Sequence, residues 1–139
     1  LILQLTEELM PLLRRKSIEI SVEHQGVFDI FVDPDKMARA LDNILVNAAN
    51  YTPAGGRISV VLDKFNDRSR FRIANTGMDL TQEKLHRFFE KFYRADEARQ
   101  SGTGGSGLGL AIAKNIIEAH GGSINVANQN RVTTFTIIC

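Results

Sequence analysis

The stretch Gly102-Thr103-Gly104-Gly105-Ser106-Gly107-Leu108-Gly109-Leu110 runs without a break into Ala111-Ile112-Ala113-Lys114-Asn115-Ile116-Ile117-Glu118-Ala119. Leu108, Ala111, Ile112, Ile116 and Ile117 recur at helical spacing, so 108–119 predicts an amphipathic helix that Gly121 and Gly122 end. Five of the chain's 11 glycines fall in the eight residues from Gly102 to Gly109. A flexible linker does not feed directly into a periodic helix in this way. Glycines placed there let backbone N–H groups converge at a helix N-terminus, whose partial positive charge suits phosphate oxygens. No Gly-Lys-Ser/Thr follows as in a P-loop, and no mononucleotide βαβ unit surrounds the glycines as in a Rossmann domain.

Outward from this stretch, the chain alternates short strand and helix patterns. Ile2 to Leu13 reads as one helix interrupted at Pro11. Ile18, Ile20 and Val22 alternate with polar residues, and with Gly26 as a turn, Val27–Val32 reads as a second strand of a hairpin. A helix starts at Pro34 with Asp33 as N-cap, its core stripe being Met37, Ala40, Leu41, Ile44, Leu45 and Ala48, and Thr52–Gly56 breaks it. Ile58–Phe65 and Phe71–Ala74 predict antiparallel strands joined at Asn66 and Asp67, and Thr81 caps a short helix through Phe89. Ile124–Val126 and Val132–Ile138 close the chain as strands. The expected class is α+β: a two-layer sandwich with a mixed, mostly antiparallel sheet of about five strands and three main helices on one face.

Composition bounds the function. The 139 residues carry 17 Lys plus Arg against 16 Asp plus Glu, a formal net charge of +1, which argues against a nucleic-acid-binding surface or direct membrane contact. Cys139 is alone, so disulfides and a cysteine zinc site are excluded and a reducing compartment is expected. With no membrane-length apolar run and no signal peptide at Leu1, residues 1–139 read as one domain excised from a larger protein, monomeric as a fragment.

Three further patterns carry chemistry. Asn43, Asn47 and Asn50 sit at i, i+4 and i+7 on the helix from Pro34, on a stripe beside the apolar one. Asn is a mediocre helix former and a solvated face is normally Glu, Lys, Gln and Arg, so three aligned amides call for a reason. An amide oxygen is a neutral, hard ligand for Mg²⁺, which keeps most of its shell as water and phosphate. Asn75-Thr76-Gly77-Met78-Asp79-Leu80 follows an apolar strand: a side-chain acceptor, a hydroxyl, and a glycine past which a flat ring can approach the backbone. Phe88, Phe89, Phe92 and Tyr93 are interleaved with Glu90, Lys91 and Arg94, an aromatic anchor from which Lys91 or Arg94 can reach phosphate oxygens.

In this order the motifs resemble those of sensor histidine kinases: Asn43 to Pro53 is similar to the N box, Asn75 to Leu80 to the G1 box, Phe89 to Arg94 to the F box and Gly105 to Ala111 to the G2 box. The resemblance implies the Bergerat-type ATP-binding sandwich shared with Hsp90 chaperones, type II topoisomerases and MutL, and it implies ATP and Mg²⁺ as cofactors. It makes Asn47 the Mg²⁺ ligand and, with Arg94 and Lys91, catalytic. Asn43, Asn50, Tyr51, Asn75, Gly77, Thr103, Gly105, Ser106, Gly107, Leu108, Gly109 and Leu110 would hold the nucleotide. Tyr51 would pack near the adenine, Asn75 would replace the aspartate that accepts the adenine amino group, and residues 94–104 would form a lid. Asp79 stands where a second glycine is usual, and would take a left-handed conformation. Where the ATPase branches carry a water-activating Glu, this chain has Asn43, and an amide cannot accept that proton; Asp42, about 100° round the helix, is expected to face elsewhere. The γ-phosphoryl group is then reserved for a histidine on a separate dimerisation hairpin, for relay to a response regulator, because His24, His86 and His120 lack a phosphoacceptor context. The expected setting is the cytoplasmic part of a membrane-anchored bacterial sensor; the rival is a nucleotide-binding regulatory module without catalysis.

Overall fold

The computed structural model describes residues 1–26, 30, 32–94 and 107–139. In chain order it forms α1 (Ile2–Arg15), β1 (Glu19–His24), α2 (Pro34–Tyr51), β2 (Arg57–Phe65), β3 (Arg68–Thr76), α3 (Gln82–His86), α4 (Gly109–Ala119), β4 (Ser123–Gln129) and β5 (Val132–Ile138). The strands make one five-stranded sheet in the order β1-β2-β3-β5-β4. The β1–β2 pair is parallel, with Ile20 opposite Ile58, and every other pair is antiparallel. The two tight hairpins turn on Asn66-Asp67 and Asn130-Arg131, all four at positive φ (50–64°), the backbone twist that matches paired strands.

Side chains alternate across the sheet, so Ile58, Val60, Phe71, Ile73, Phe135 and Ile137 fall on one face and are buried there. Helix α2 covers that face and packs against α1 and α4 on either side. Its stripe Met37, Ala40, Leu41, Ile44, Leu45 and Ala48 is buried, as are Leu13 of α1 and Ile117 of α4. Truncating one such Leu or Ile to Ala costs about 2–5 kcal/mol, so α2 is the axis of the core. On the opposite sheet face Asp63 accepts from Arg70 Nε and Nη2 at 2.7 and 2.6 Å and from Arg72 Nη2 at 2.8 Å. These bonds, Arg70's first, hold the Asp63 carboxyl below its usual range against the opposing pull of burial.

Some expectations change. The partner of β1 is β2, reached through the crossover helix α2, and the expected strand Val27–Val32 falls largely on residues outside those described. The single helix expected over Ile2–Leu13 is borne out and runs on to Arg15, with Leu5, Leu9 and Leu13 carrying the buried stripe past Pro11. Thr81 does cap α3, accepting from Lys84 N–H at 3.2 Å, but the helix stops at His86 and tight turns carry the chain through Glu90. Among the described residues no helix is long and apolar enough to cross a membrane.

Candidate functional site

Helix α2 presents its amide stripe to a cavity of about 390 Å³. Asn43, Asn47, Asn50 and Tyr51 line it from α2, Phe88, Tyr93 and Arg94 from the aromatic segment, and Gly107, Leu108, Gly109 and Leu110 from the start of α4. A smaller hollow of about 20 Å³ opens beside it between Asn47, Tyr51, Asn75, Met78, Leu80, Phe88 and Thr133. Asn47, Tyr51 and Phe88 border both spaces, so one helix turn of α2 separates a large chamber from a narrow one at the sheet end.

Both ends of α2 are fixed by side chains from elsewhere. At the N-terminus Asp33 accepts from Asp35 and Lys36 N–H at 3.0 and 3.1 Å; these bonds, Lys36's foremost, hold its carboxyl below the usual range. The backbone N–H of Asp33 donates to His120 Nε2 at 3.1 Å, while His120 Nδ1 lies 2.7 Å from the Ile116 carbonyl. Both contacts are satisfied by a neutral ring with its proton on Nδ1, and they tie the end of α4 to the start of α2. At the C-terminus Lys16 donates to the carbonyls of Ala49 and Asn50 at 2.9 and 3.2 Å, and Thr52 Oγ1 donates to Ala48 at 2.6 Å. An ammonium on the last carbonyls of a helix complements its dipole, and partial burial lowers the Lys16 pKa. Asn50 and Tyr51 are therefore carried on a helix end that cannot fray.

At the chamber's other wall, the chain leaves and re-enters around the segment 95–106. Phe92 N–H donates to the Gly107 carbonyl at 2.9 Å, and both residues have positive φ, 66° and 77°. A Cβ on Gly107 would lie 2.7 Å from the Phe92 carbonyl carbon, so only glycine fits there. Gly109 comes within 3.7 Å of Asn43 measured from the same imagined Cβ, which brings the α4 N-terminus and its first N–H groups against the amide stripe.

The narrow hollow is built from strand ends. Asn75, last but one in β3 and 4% exposed, stands opposite Thr133 of β5, 6% exposed. Asn128 of β4 clamps the segment above them: its Oδ1 accepts from Leu80 N–H at 3.2 Å, and its Nδ2 donates to the Met78 carbonyl and to Thr133 Oγ1, each at 3.0 Å. Gly77 needs its missing side chain, since a Cβ would sit 3.2 Å from the Tyr51 carbonyl. Neither Gly77 nor Asp79 has positive φ; the turn that Asp79 was expected to make left-handed is held by Asn128 instead, and Asp79 pairs at 3.7 Å with exposed Arg131.

Of the residues singled out from sequence, Asn43, Asn47, Asn50, Tyr51, Arg94 and Gly107 to Leu110 converge on the chamber, and Asn75 on the hollow. Lys91 does not: it is exposed in the turn before Phe92 and lines neither space, because Tyr93 and Arg94 point inward in its place. Thr103, Gly105 and Ser106, and most of the expected lid, lie outside the described residues. Asp42 also differs from expectation, since it lines the chamber; the space is wide enough to take in a residue 100° away from Asn43. Burial, and then Glu8 of α1, raise the Asp42 pKa. Lys16, Thr133 and Asn128 were missed. Each acts through a contact of long sequence separation, and only the alternation that turns Thr133 and Asn128 inward was visible beforehand.

Among the described residues no three His, Cys, Asp or Glu side chains converge as a metal cage. What the chamber offers is neutral amide oxygen on α2, backbone N–H at the α4 N-terminus, one guanidinium, and a purine-sized slot beside them only if Phe88 and the Met78–Leu80 segment give way.

Comparison with known proteins agrees with this geometry. Residues 32–139 match the family model described as histidine kinase-, DNA gyrase B- and HSP90-like ATPase. The chain is 40% identical to the sensor protein VanS of Enterococcus faecium over 137 residues, 99% of this chain and 35% of VanS, so it spans about a third of that relative. Among solved structures it is similar to the mycobacterial sensor histidine kinase MprB, with 33% identity, a TM-score of 0.80, and coverage of 96% of this chain and 91% of that one. It is also similar to full-length ShkA in complex with AMPPNP, with 27% identity, a TM-score of 0.84, and coverage of 98% of this chain and 28% of that one. With the sandwich, the amide stripe and the glycine-led helix all in place, the chain belongs to the histidine kinase-, DNA gyrase B- and HSP90-like ATPase family.

Proposed function

We propose that this chain is the ATP-binding catalytic domain of a sensor histidine kinase, transferring the γ-phosphoryl group to a histidine on a separate dimerisation hairpin of its parent for relay to a response regulator. The observation that carries this reading is the meeting of Asn43, Asn47, Asn50 and Arg94 with the α4 N-terminus around one chamber. Adenine belongs in the hollow at Asn75 and Thr133, and the phosphates between the amide stripe and Gly107–Leu110, where backbone N–H groups and Arg94 offset their charge. Full-length ShkA, part of which is similar to this chain, is solved in complex with AMPPNP, which supports a nucleotide as the ligand.

Mg²⁺ fits the donor set. It needs few protein ligands when water and phosphate supply the rest, and Asn47 offers a neutral oxygen at the junction of the two spaces. Bound there, the ion would neutralise phosphate charge and polarise the phosphoryl group for transfer. Asn43 cannot take a proton from water, which leaves the phosphoryl group for a nitrogen nucleophile held by the hairpin. This reading takes the parent to be a membrane-anchored sensor with this domain on its cytoplasmic side.

Asp42 supports one competing reading, hydrolysis, because its carboxyl lines the chamber. A non-catalytic module is the other. Transfer to the parent hairpin by the wild type, by Asn47→Asp and by Arg94→Ala separates the three: an active parent with variants at least about 100-fold slower is expected. Steady phosphate release that Asp42→Asn abolishes would instead favour the ATPase, and uniform inactivity with ATP bound would favour the module.

A further inference from the structure

We propose that Asn75 makes this a site for purine nucleoside triphosphates that does not discriminate between a 6-amino and a 6-oxo base. The proposal rests on the nucleotide reading above and adds the base selectivity to it. An amide carries an acceptor and a donor side by side. Facing adenine, Asn75 Oδ1 accepts from the 6-amino group while Nδ2 donates to ring N1. Facing a 6-oxopurine, the amide turned by 180° donates from Nδ2 to the 6-oxygen and accepts at Oδ1 from N1–H. Two hydrogen bonds form in either case. A carboxylate here would accept one hydrogen bond from either base, from the 6-amino group or from N1–H, and set its second oxygen against ring N1 or the 6-oxygen, so only the amide makes two bonds to each.

Discrimination would survive only if the surroundings locked the amide in one orientation, and they do not. Among the described residues the Asn75 side chain makes one long bond, Nδ2 to the Thr76 carbonyl at 3.4 Å. Asn128, two strands away across the sheet on the far side of Thr133, shows what locking looks like: three partners at 3.0–3.2 Å fix which of its atoms is nitrogen. Thr133, which with Asn75 forms the sheet side of the hollow while Asn47 and Tyr51 line it from α2, is equally two-faced. Its oxygen accepts from Asn128, which leaves one lone pair and the hydroxyl proton to serve either base edge. Asn75 and Thr133 are direct cross-strand neighbours, so the two polar groups on the sheet side of the hollow can reverse their polarity together.

The test compares ATP with ITP by calorimetry on the whole chain with Mg²⁺. ITP differs from ATP at the 6-position and N1 and adds no 2-amino bulk, which GTP does. ITP is expected to bind within about tenfold of ATP, whereas a site of fixed polarity separates such pairs by about 10⁴-fold. In Asn75→Asp either base keeps one hydrogen bond and meets one repulsion, so ATP and ITP are expected to weaken together, each by about tenfold or more. Asn75→Leu, which keeps the volume and removes both polar atoms, is expected to weaken both nucleotides by the same factor and covers the case in which the buried carboxylate prevents folding. ATP binding with ITP rejected beyond about 100-fold overturns the selectivity proposal alone. A change in the ATP:ITP ratio beyond about 100-fold in Asn75→Leu does the same. Binding of neither nucleotide overturns the nucleotide reading and this proposal together.

Discussion

The two ends of the site are built in opposite ways. The base end is a hollow of about 20 Å³ floored by strand residues, Asn75 and Thr133, whose placement follows from sheet register. The phosphate end is a chamber of about 390 Å³ between a helix face and a helix start, closed on one side by a neck, the Phe92–Gly107 pair. Register fixes a side chain to within a fraction of an ångström at no local cost. The neck instead holds two residues at positive φ, one of them a phenylalanine 71% exposed, and that strain persists because each backbone braces the other. In the proposed reading, the base end has a backbone fixed by register and side chains that can turn, and it governs selectivity, while the phosphate end depends on a few backbone conformations and governs competence.

This contrast can be broken most severely at the neck. Gly107→Val places a branched Cβ in a left-handed backbone and 2.7 Å from Phe92 carbon, so ATP affinity should fall by at least about 100-fold, measured by calorimetry. Because the core beneath is untouched, the melting temperature should fall by no more than about 8 °C. At the base end Thr133→Val keeps shape and register, removes the Asn128 partner, and should weaken ATP about tenfold while costing about 1–3 kcal/mol in urea unfolding.

A smaller effect is expected behind the site. Lys16→Met leaves the Ala49 and Asn50 carbonyls without their ammonium donor, and about 1–2 kcal/mol of stability should be lost, with ATP affinity down only a few-fold as Tyr51 loosens.

The least effect on binding is expected on the far face of the sheet. Asp63 is held below its ordinary pKa, chiefly by Arg70, so the unfolded chain takes up its proton first as pH falls. Its stabilisation is fully present above the unfolded value, about pH 4, and is lost as pH drops through the folded one. The melting-temperature gap between wild type and Asp63→Asn should therefore close below about pH 4, with ATP affinity equal in both proteins at neutral pH.

Regular periodicity made most of this legible from sequence. The stripes of α2 and α4, the cap at Asp33, the hairpin turn at Asn66-Asp67 and the amide row all depend on neighbours within one or two turns, and each stands where spacing placed it. What failed depended on contacts far along the chain. The partner of β1 lies beyond a whole helix, and nothing local in Ile18–Val32 could choose between a hairpin and that crossover. Lys16 reaches α2 over 33 residues and His120 reaches Asp33 over 87, so neither tie leaves a local pattern. Asp42 was misjudged for a different reason: an angle around an ideal helix says where a side chain points, not how wide the space before it is.

The most direct test of the kinase reading is to incubate the chain with γ-labelled ATP, Mg²⁺ and the parent's dimerisation hairpin, following label on the hairpin and free phosphate side by side. The expected result is acid-labile, base-stable label on one hairpin histidine, absent when that histidine is replaced by glutamine, with little free phosphate. Bound ATP accompanied by free phosphate and an unlabelled hairpin would contradict it.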